Sequence, residues 1–404
     1  MEVVLDRPGA VRLELLPPLA LYVHIPWCVR KCPYCDFNSH ERPGALPERE
    51  YVERLIEDLD ERLPCVWGRR LVSVFIGGGT PSLFSPDSID ALLSAVRARL
   101  PLEPGAEVTL EANPGTVEAG RFRGFRQAGV NRISIGVQSL RPEILQAYDR
   151  VHGPEQALAA YANARAAGIG RVNLDLIYAF PGQEPGAWHQ DLDRVLGLEP
   201  DHVSCYELAY EPGTSLTRLR DAGRWREEDP DICRALFDTT GERCAAAGYG
   251  RYEISNFARP GEACLHNMAY WRSLEWVGIG AGAASWRHGE RRKNTLRPDA
   301  YEAAVFEGRD PVGERRRPDA DEVLFDHFLM GLRLPAEGVR LARAEAASGL
   351  DPCEVWAAEF AALQAEGLLE LARDPEGEAC VRATSEGLIW LDSILERLLP
   401  DAPQ

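Results

Sequence analysis

The chain has 404 residues, with 45 Lys and Arg against 63 Asp and Glu, so its formal net charge is −18. This charge repels nucleic acids and anionic lipid surfaces, and it excludes nucleic-acid binding as the main activity. No apolar run approaches the roughly 20 residues of a membrane-spanning helix, and the N-terminal residues lack the basic and apolar regions of a secretory signal. The sequence therefore predicts a cytoplasmic protein without a transmembrane segment, and its ten cysteines suit a reducing compartment.

In the first half of the chain, short apolar runs alternate with helix-like segments. Strands are predicted at 21–25, 71–76, 106–112, 132–136, 171–177 and 202–206. Helices are predicted at 47–63, 86–100, 116–128, 154–167 and 184–198. This alternation implies parallel strands joined by right-handed crossovers. The predicted fold class is α/β, with a partial (β/α)6 barrel over residues 1–206, and ligands are expected at the C-terminal ends of its strands.

The second half is predicted to form an extension and a small separate domain. Residues 207–308 are rich in turns and aromatics and should cover or extend the mouth of the barrel, and 309–320 has the proline, glycine and charge content of a linker. Residues 321–404 show amphipathic helices and a hairpin, which predicts a winged-helix-like α+β domain. From residue 319 onward there are 18 acidic against 6 basic residues, or −12. A duplex-binding surface needs the opposite sign, so this domain is expected to be structural or to contact a protein.

Three cysteines form the most informative motif. Cys28, Cys32 and Cys35 stand at the spacing C-x3-C-x2-C directly after the first predicted strand, and no fourth cysteine follows nearby. Three thiolates leave one iron of a 4Fe-4S cluster open for a small molecule, whereas a cluster built only for electron transfer usually has four cysteines. The alternatives are a structural zinc, for which the nearby His and Asp residues stand at no convincing spacing, and ordinary buried thiols.

Further candidate site residues follow the predicted strands. The second strand ends in Gly77-Gly78-Gly79-Thr80-Pro81, and glycines let a backbone approach a ligand closely. Glu111, Gln138 and Asp175 end the third, fourth and fifth strands, and Arg150, which follows Gln138, has a guanidinium that can hold a carboxylate with two hydrogen bonds. Each of these residues, taken singly, also suits a salt bridge or a solvated surface. Their joint placement on successive strand ends predicts a ligand site.

Several motifs together resemble a known family. The segments LYVHIPWCVRKCPYCDFNSH, FIGGGTPS, EANPGT, SIGVQS and NLDLIYAFPGQ look like the oxygen-independent coproporphyrinogen III oxidase family of radical S-adenosylmethionine (SAM) proteins, over nearly the whole chain. The resemblance implies a 4Fe-4S cluster whose open iron holds the amino and carboxylate groups of SAM. By the same resemblance, the SAM contacts come from Tyr22, Gly78, Gly79, Thr80, Glu111, Gln138, Arg150 and Asp175.

The chain departs from the true oxidases of this family in two ways. The oxidases have a further cysteine two residues after the third, where this chain has Phe37, and they have a longer segment ahead of the first strand, where only about 20 residues precede Leu21. Both features resemble the haem chaperone branch of the family, the HemW type. The alternative function, radical SAM oxidative decarboxylation of coproporphyrinogen III in porphyrin biosynthesis, is disfavoured by the same two features.

A second motif resembles the same branch. Residues 264–271, CLHNMAYW, contain H-N-x-x-Y-W, which in the chaperone branch is associated with haem binding. By this resemblance His266 and Asn267 contact haem, with His266 a candidate axial ligand, and Tyr270 and Trp271 pack on the macrocycle. The alternative is that these side chains only fasten the extension to the barrel.

The sequence therefore predicts a haem chaperone that binds one 4Fe-4S cluster, SAM and haem. Its partners are expected to be haem-requiring respiratory proteins, including those at the membrane surface, to which it delivers haem. A third possibility, a binding-only relative without a cluster, requires the three cysteines to be idle. Whether SAM is cleaved to a radical, which protein accepts the haem and which oligomer forms are not predicted from the sequence.

Overall fold

The centre of the molecule is a parallel sheet. The computed structural model describes residues 16–116 and 119–400, so most of the N-terminal segment in which no secretory signal was predicted lies outside the described residues. Six strands neighbour one another in chain order. They are β1 (Leu19–Ile25), β2 (Leu71–Gly78), β3 (Leu102–Ala112), β4 (Arg132–Gln138), β5 (Arg171–Tyr178) and β6 (His202–Glu207). The predicted partial (β/α)6 barrel is confirmed.

Helices connect successive strands of this sheet. They are α1 (Glu48–Arg62), α2 (Pro86–Arg99), α3 (Ala119–Ala128), α4 (Pro142–Ala147), α5 (Pro154–Ala166) and α6 (Pro185–Leu196). Proline is the first residue of α2, α4, α5 and α6, where its missing N–H has no helical partner to lose. Only α4 was not predicted, because six residues are too few to show a helical period.

The two faces of the parallel sheet differ in polarity. Successive side chains of a strand point to opposite faces. One set is apolar and belongs to the main hydrophobic core, as Val74, Ile76, Val108, Leu110, Ile133, Ile135, Val172 and Leu174 do. The alternating set lines a cavity inside the barrel and is mostly polar, as Thr109, Glu111, Ser134, Asn173, Asp175, His202 and Ser204 are. A closed (β/α)8 barrel fills its interior with apolar layers, so this polar interior indicates a binding chamber.

The extension adds six strands and four helices. The strands are β7 (Gly250–Arg251), β8 (Asn256–Ala258), β9 (Trp276–Ile279), β10 (Ala284–Arg287), β11 (Glu290–Asn294) and β12 (Val312–Arg316). The helices are α7 (Ser215–Asp221), α8 (Pro230–Ala246), α9 (Leu265–Trp271) and α10 (Pro298–Phe306). Strand β8 pairs antiparallel with β6, whereas β9 pairs parallel with β1. The extension therefore continues the sheet at both edges and supplies a seventh parallel strand.

The linker predicted at 309–320 differs from the structure. Strand β12 lies inside this segment and pairs antiparallel with β11 at the edge of the large sheet. The charges that suggested a linker are paired, since Asp310 accepts hydrogen bonds from both Arg292 and Arg315. Charged side chains are common on edge strands because they discourage pairing with other chains, so high charge alone did not distinguish a linker from an edge strand.

The C-terminal residues form a small α+β domain with its own core, which includes Leu324, Phe328 and Leu363. Its antiparallel sheet has the order β13 (Val339–Arg340), β15 (Ala379–Ala383), β14 (Leu369–Arg373). Its helices are α11 (Ala320–Gly331), α12 (Leu341–Ser348), α13 (Pro352–Val355), α14 (Ala357–Ala365), α15 (Ser385–Ile389) and α16 (Leu391–Arg397). The predicted hairpin is present. In the described part of the chain, no helix has the length and apolar character needed to cross a bilayer.

Candidate functional site

A cavity of about 510 Å³ lies inside the barrel and extends to the C-terminal ends of its strands. It brings together the three cysteines of the motif and most of the predicted strand-end residues. Those that line it are Cys28, Cys32, Cys35, Gly78, Gly79, Thr80, Glu111, Gln138, Arg150 and Asp175. These positions span almost 150 residues of sequence, so the fold itself assembles the site.

The loop that carries the cysteines is closed by short backbone pairing. Residues Trp27–Cys28 pair with His40–Glu41, so the two ends of the loop lie side by side. The Asn38 amide donates hydrogen bonds to the carbonyls of Ala281 and Leu296, which anchors the loop to the extension. These contacts hold the loop over the ends of β1 and β2.

Each cysteine thiol has a polar neighbour. The Thr80 hydroxyl donates to the sulfur of Cys28 at 3.5 Å, and Arg150 Nη1 donates to the sulfur of Cys32 at 3.4 Å. The sulfur of Cys35 lies 3.8 Å from the Ser39 hydroxyl. Burial raises the pKa of the Cys28 and Cys35 thiols, so a bound metal group, rather than the protein alone, has to hold them as thiolates.

The spacing of the thiols bears on which metal group fits. Among the described residues, no three His, Cys, Asp or Glu side chains converge closely enough to hold a single metal ion. A zinc ion brings its ligands around one centre, whereas a cubane cluster binds each thiolate at a separate iron. The three cysteines share one cavity wall, an arrangement that suits a cluster to which each thiolate binds at a separate iron.

The glycines at the end of β2 are required by close packing within the protein. Gly78 has a φ of +119°, and a Cβ there would lie 2.7 Å from the His24 ring. A Cβ on Gly79 would lie 2.5 Å from the Trp27 carbonyl oxygen. The sequence motif predicts that these glycines allow a ligand to approach the backbone closely. The structure adds that they let the end of β2 pack directly beneath the cysteine loop.

The end of β4 combines an unusual backbone with two partly buried polar side chains. Gln138 has a φ of +66°, a left-handed conformation that costs a non-glycine residue about 1 kcal/mol or more and is common at functional sites. Arg150 Nη2 donates to the Gly136 carbonyl at 2.9 Å. A Cβ on Gly136 would lie 2.8 Å from the Gln138 amide nitrogen and 3.1 Å from Arg150 Nη2. Gly136 therefore makes room for both side chains, and it was not among the residues predicted from the sequence.

Two partly buried carboxyl groups, those of Glu111 on β3 and Asp175 on β5, line the cavity. Glu111 accepts a hydrogen bond from the Gly78 N–H at 3.1 Å. Asp175 accepts hydrogen bonds from the Ser134 hydroxyl at 2.9 Å and from the Asn173 amide at 2.7 Å. Burial raises the pKa of both groups, and the charge of Asp175 raises the pKa of Glu111 further, to about 8. The cavity therefore favours a ligand with hydrogen-bond donors or positive charge at this wall.

The raised pKa of Glu111 predicts a pH-dependent stability for the protein freed of its cofactors. The native state binds this proton more tightly than the unfolded chain does, so the stabilisation is complete below about pH 4.5 and is lost as the pH rises to about 8. Glu111→Gln removes this dependence. We expect the unfolding free energy of the variant, relative to wild type, to rise by up to about 1.4 kcal/mol per pH unit inside that window. Urea titrations at several pH values measure this difference, and a difference that does not change with pH would contradict the assignment.

The residues present fit SAM as well as the cluster. The Arg150 Nε and the Thr109 hydroxyl are buried without a protein partner, although both residues line the cavity. Unpaired buried polar atoms of this kind are costly unless a ligand or water completes them. SAM offers an amino group, a carboxylate, ribose hydroxyls and an adenine. The opposite charges of Arg150 and of the carboxyl wall suit such a zwitterionic ligand.

The remaining predicted residues lie deeper. Tyr22 does not line the cavity: its hydroxyl pairs with His24 Nδ1 at 2.9 Å, and its ring stacks on Phe75, which does line it. Of the H-N-x-x-Y-W residues, only Asn267 lines the cavity, at its floor. Helix α9 thus closes the barrel from below, on the side away from the cysteine loop.

His266 is packed inside the protein, with 1% of its surface exposed. Its Nδ1 pairs with the Ser73 hydroxyl at 2.9 Å and its Nε2 with the Tyr270 hydroxyl at 2.8 Å. Burial lowers the pKa of this imidazole to about 3, so the ring is neutral. The Trp271 ring packs against the Arg333 guanidinium of the C-terminal domain, 4.5 Å from the ring centre. In this conformation the motif fastens α9 between the barrel and the C-terminal domain, and no imidazole nitrogen is free for a metal.

Other residues of the cavity were missed by sequence reasoning. They are the inward-facing polar residues one step earlier in the strands, together with an aromatic of the cysteine loop. Among them are Tyr34, Thr109, Ser134, Asn173, His202 and Ser204. The signal for most of them was present, because each strand residue lies two or four positions before a polar residue at the end of its strand and so shares its face.

The chain is similar to several known proteins. Residues 22–195 match the model of the Radical SAM superfamily. The heme chaperone HemW of Escherichia coli (strain K12) is 41% identical, with 96% of this chain and 99% of that protein covered. The heme chaperone HemW of Mycobacterium tuberculosis (strain H37Rv) is 36% identical with 95% of both covered. The mitochondrial radical S-adenosyl methionine domain-containing protein 1 of Bos taurus is 37% identical, with 94% and 87% covered.

One solved structure resembles the whole chain. Coproporphyrinogen III oxidase (HemN) from Escherichia coli aligns with a TM-score of 0.79 at 23% identity, covering 95% of this chain and 90% of that one. At this identity the likeness establishes the fold alone. It extends through the barrel, the extension and the C-terminal domain, because nearly all of both chains superimpose.

Proposed function

We propose that this chain, which belongs to the HemW family of radical SAM proteins, is a cytoplasmic haem chaperone that delivers haem to haem-requiring respiratory proteins. The observation that carries this proposal is the 41% identity to a heme chaperone over almost the full length of both proteins. Phe37 agrees with it, since an apolar side chain, 55% exposed, stands where the oxidases of the wider family have a further cysteine.

Cys28, Cys32 and Cys35 would hold a 4Fe-4S cluster, and the strand-end residues would hold SAM at its open iron. A reduced cluster of this kind supplies an electron that can cleave SAM. This chain's own residues do the positioning. Arg150 places a positive charge beside a cysteine ligand, and Glu111 and Asp175 offer carboxyl oxygens to an amino group and to ribose hydroxyls.

Haem binding would involve α9, with His266 as the proposed axial ligand. This requires the ring to give up its bonds to Ser73 and Tyr270, so α9 has to move from its packed position. The helix has only seven residues and lacks the internal stability of a longer helix, so it is held mainly by tertiary contacts, including those of its first N–H groups with Glu107. Movement of α9 therefore breaks these contacts but leaves the central sheet intact.

One experiment separates the chaperone from the oxidase. The cluster is reconstituted without oxygen, and the protein then receives haem in one sample and coproporphyrinogen III with SAM and a reductant in another. We expect a stable haem absorption band in the first sample and no vinyl product or carbon dioxide in the second. Decarboxylation in the second sample would overturn the chaperone assignment.

The role of His266 is tested by His266→Ala. We expect this variant to lose most of its bound haem on gel filtration while it retains its iron and sulfide, because the cysteine loop lies at the other end of the barrel. His288→Ala is the control, since that imidazole is 64% exposed on the surface. If His266→Ala retains as much haem as this control, His266 has only the packing role seen in the structure.

A further inference from the structure

A chain of hydrogen bonds crosses the interior of the barrel from the cavity wall to α9. Asn173 Nδ2 donates to Asp175 at 2.7 Å, and Asn173 Oδ1 pairs with His202 Nδ1 at 2.7 Å. His202 Nε2 pairs with the Tyr252 hydroxyl at 2.9 Å, and this hydroxyl accepts from Asn267 Nδ2 at 3.3 Å. Five side chains from β5, β6, the loop between β7 and β8, and α9 are thus connected without a gap.

The direction of each bond in this chain follows from chemistry. A carboxylate only accepts, so the Asn173 amide directs its NH2 to Asp175 and its oxygen to His202. His202 Nδ1 therefore carries the hydrogen. Burial lowers the pKa of His202 far below its ordinary value, which keeps the ring neutral and leaves Nε2 as an acceptor for the Tyr252 hydroxyl. The donors point the same way throughout, from Asn267 to Asp175.

The middle of this series of hydrogen bonds is shielded from solvent. His202 is 1% exposed and Asn173 is 5% exposed. Hydrogen bonds in such surroundings are stronger than in water, and loss of one partner leaves the other unpaired. A shift of Asn267 with α9 would therefore be felt at the Tyr252 hydroxyl and at the imidazole, because each hydrogen bond shares a side chain with the next.

We propose that Asn173, His202 and Tyr252 are positioning residues that couple SAM binding at Asp175 to the placement of α9. The proposal rests on the proposed function in two respects: it takes Asp175 as a SAM contact and α9 as part of the haem site. SAM bound at Asp175 would contact the carboxylate at one end of this series of hydrogen bonds, and Asn267 of α9 lies at its other end. Coupling between two sites is reciprocal, so haem bound at α9 changes the affinity for SAM by the factor by which SAM changes the affinity for haem.

The first test is a double-mutant cycle on SAM affinity in the reconstituted protein without haem. We expect Tyr252→Phe to weaken SAM binding about fivefold, the net effect of one hydrogen bond. In the Asp175→Asn background the same substitution should have no effect, because the residue through which it acts is already changed. Tyr249→Phe is the control: this tyrosine is buried, and its hydroxyl donates to the Pro200 carbonyl at 2.7 Å, outside this set of hydrogen-bonded residues.

Two results of this cycle would overturn the proposal. One is a Tyr252→Phe variant that binds SAM as the Tyr249→Phe control does, and the other is a Tyr252→Phe effect of unchanged size in the Asp175→Asn background. Urea unfolding of both tyrosine variants shows whether they are equally stable. If Tyr252→Phe fails to fold, Asn267→Ala removes the terminal donor instead and should weaken SAM binding in the same way.

The second test measures SAM affinity with and without haem. We expect haem to change the affinity of the wild-type protein for SAM. In Tyr252→Phe haem should leave the SAM affinity almost unchanged, whereas in Tyr249→Phe it should change it as much as in the wild type. A wild-type protein that binds both ligands independently contradicts the coupling and leaves the chaperone function standing. A wild-type protein that binds no haem contradicts the chaperone function, and the SAM cycle still decides whether the residues position Asp175.

Discussion

Replacing any one of Cys28, Cys32 or Cys35 with serine is expected to abolish the 4Fe-4S cluster. Iron and sulfide should fall from about four of each per chain to near zero after anaerobic reconstitution, because a serine oxygen is a poor ligand for the soft iron of a cluster. SAM affinity should fall at least about tenfold with it, since the open iron is the proposed anchor for the amino and carboxylate groups. Iron and sulfide assays and equilibrium dialysis with SAM measure the two effects.

The control for these variants is chosen from the other cysteines. Cys353 lies on the surface of the C-terminal domain, so Cys353→Ser should leave the iron content and SAM affinity at the wild-type level. Cys264→Ser tests whether a cysteine outside the motif holds the cluster. This thiol is buried beside the cavity floor and donates a hydrogen bond to Glu107 at 3.1 Å. A cluster that persists in all three motif variants, or that disappears in Cys264→Ser alone, would contradict the assignment of the ligands.

Much of the barrel and of the cavity wall was predictable because the signals are local. An apolar run ending in a polar residue identified β3 and β5 and, with them, Glu111 and Asp175. Parallel strands bring such ends to one edge, so their meeting in one cavity followed from the strand assignment alone. The same argument, carried back by two residues along each strand, would have reached Thr109 and Asn173 as well.

The contacts of α9 could not be predicted from local sequence patterns. Its contacts with Ser73 and Glu107 join residues 193 and 159 positions apart in the chain, and nothing near His266 in the sequence indicates either partner. The seventh parallel strand, β9, was missed for a related reason. Four residues are too few to show a pattern, and its pairing with β1 is decided by a long-range return of the chain.

Glu107 illustrates how a buried charge can organise a functional helix. It lies on β3 with no exposed surface, and Arg132 beneath it is 2% exposed, with Nη1 3.4 Å from the carboxylate. The same carboxylate accepts hydrogen bonds from the Cys264 thiol and from the N–H groups of Leu265 and His266. A negative charge at the start of a helix satisfies N–H groups that have no partner within the helix.

Glu107→Ala is therefore expected to destabilise the protein by about 3–5 kcal/mol, because it leaves the Arg132 guanidinium buried without its carboxylate partner. Glu103→Ala is the matched control on the same strand: Glu103 is 41% exposed and 3.8 Å from Arg70, so its loss should cost less than about 1 kcal/mol. Urea unfolding followed by tryptophan fluorescence measures both values. Hydrogen exchange should show the amides of α9 losing protection first in Glu107→Ala. Equal stabilities of the two variants would mean that this buried pair does not hold α9 in place, and the floor of the cavity would then have to be held by the His266 contacts alone.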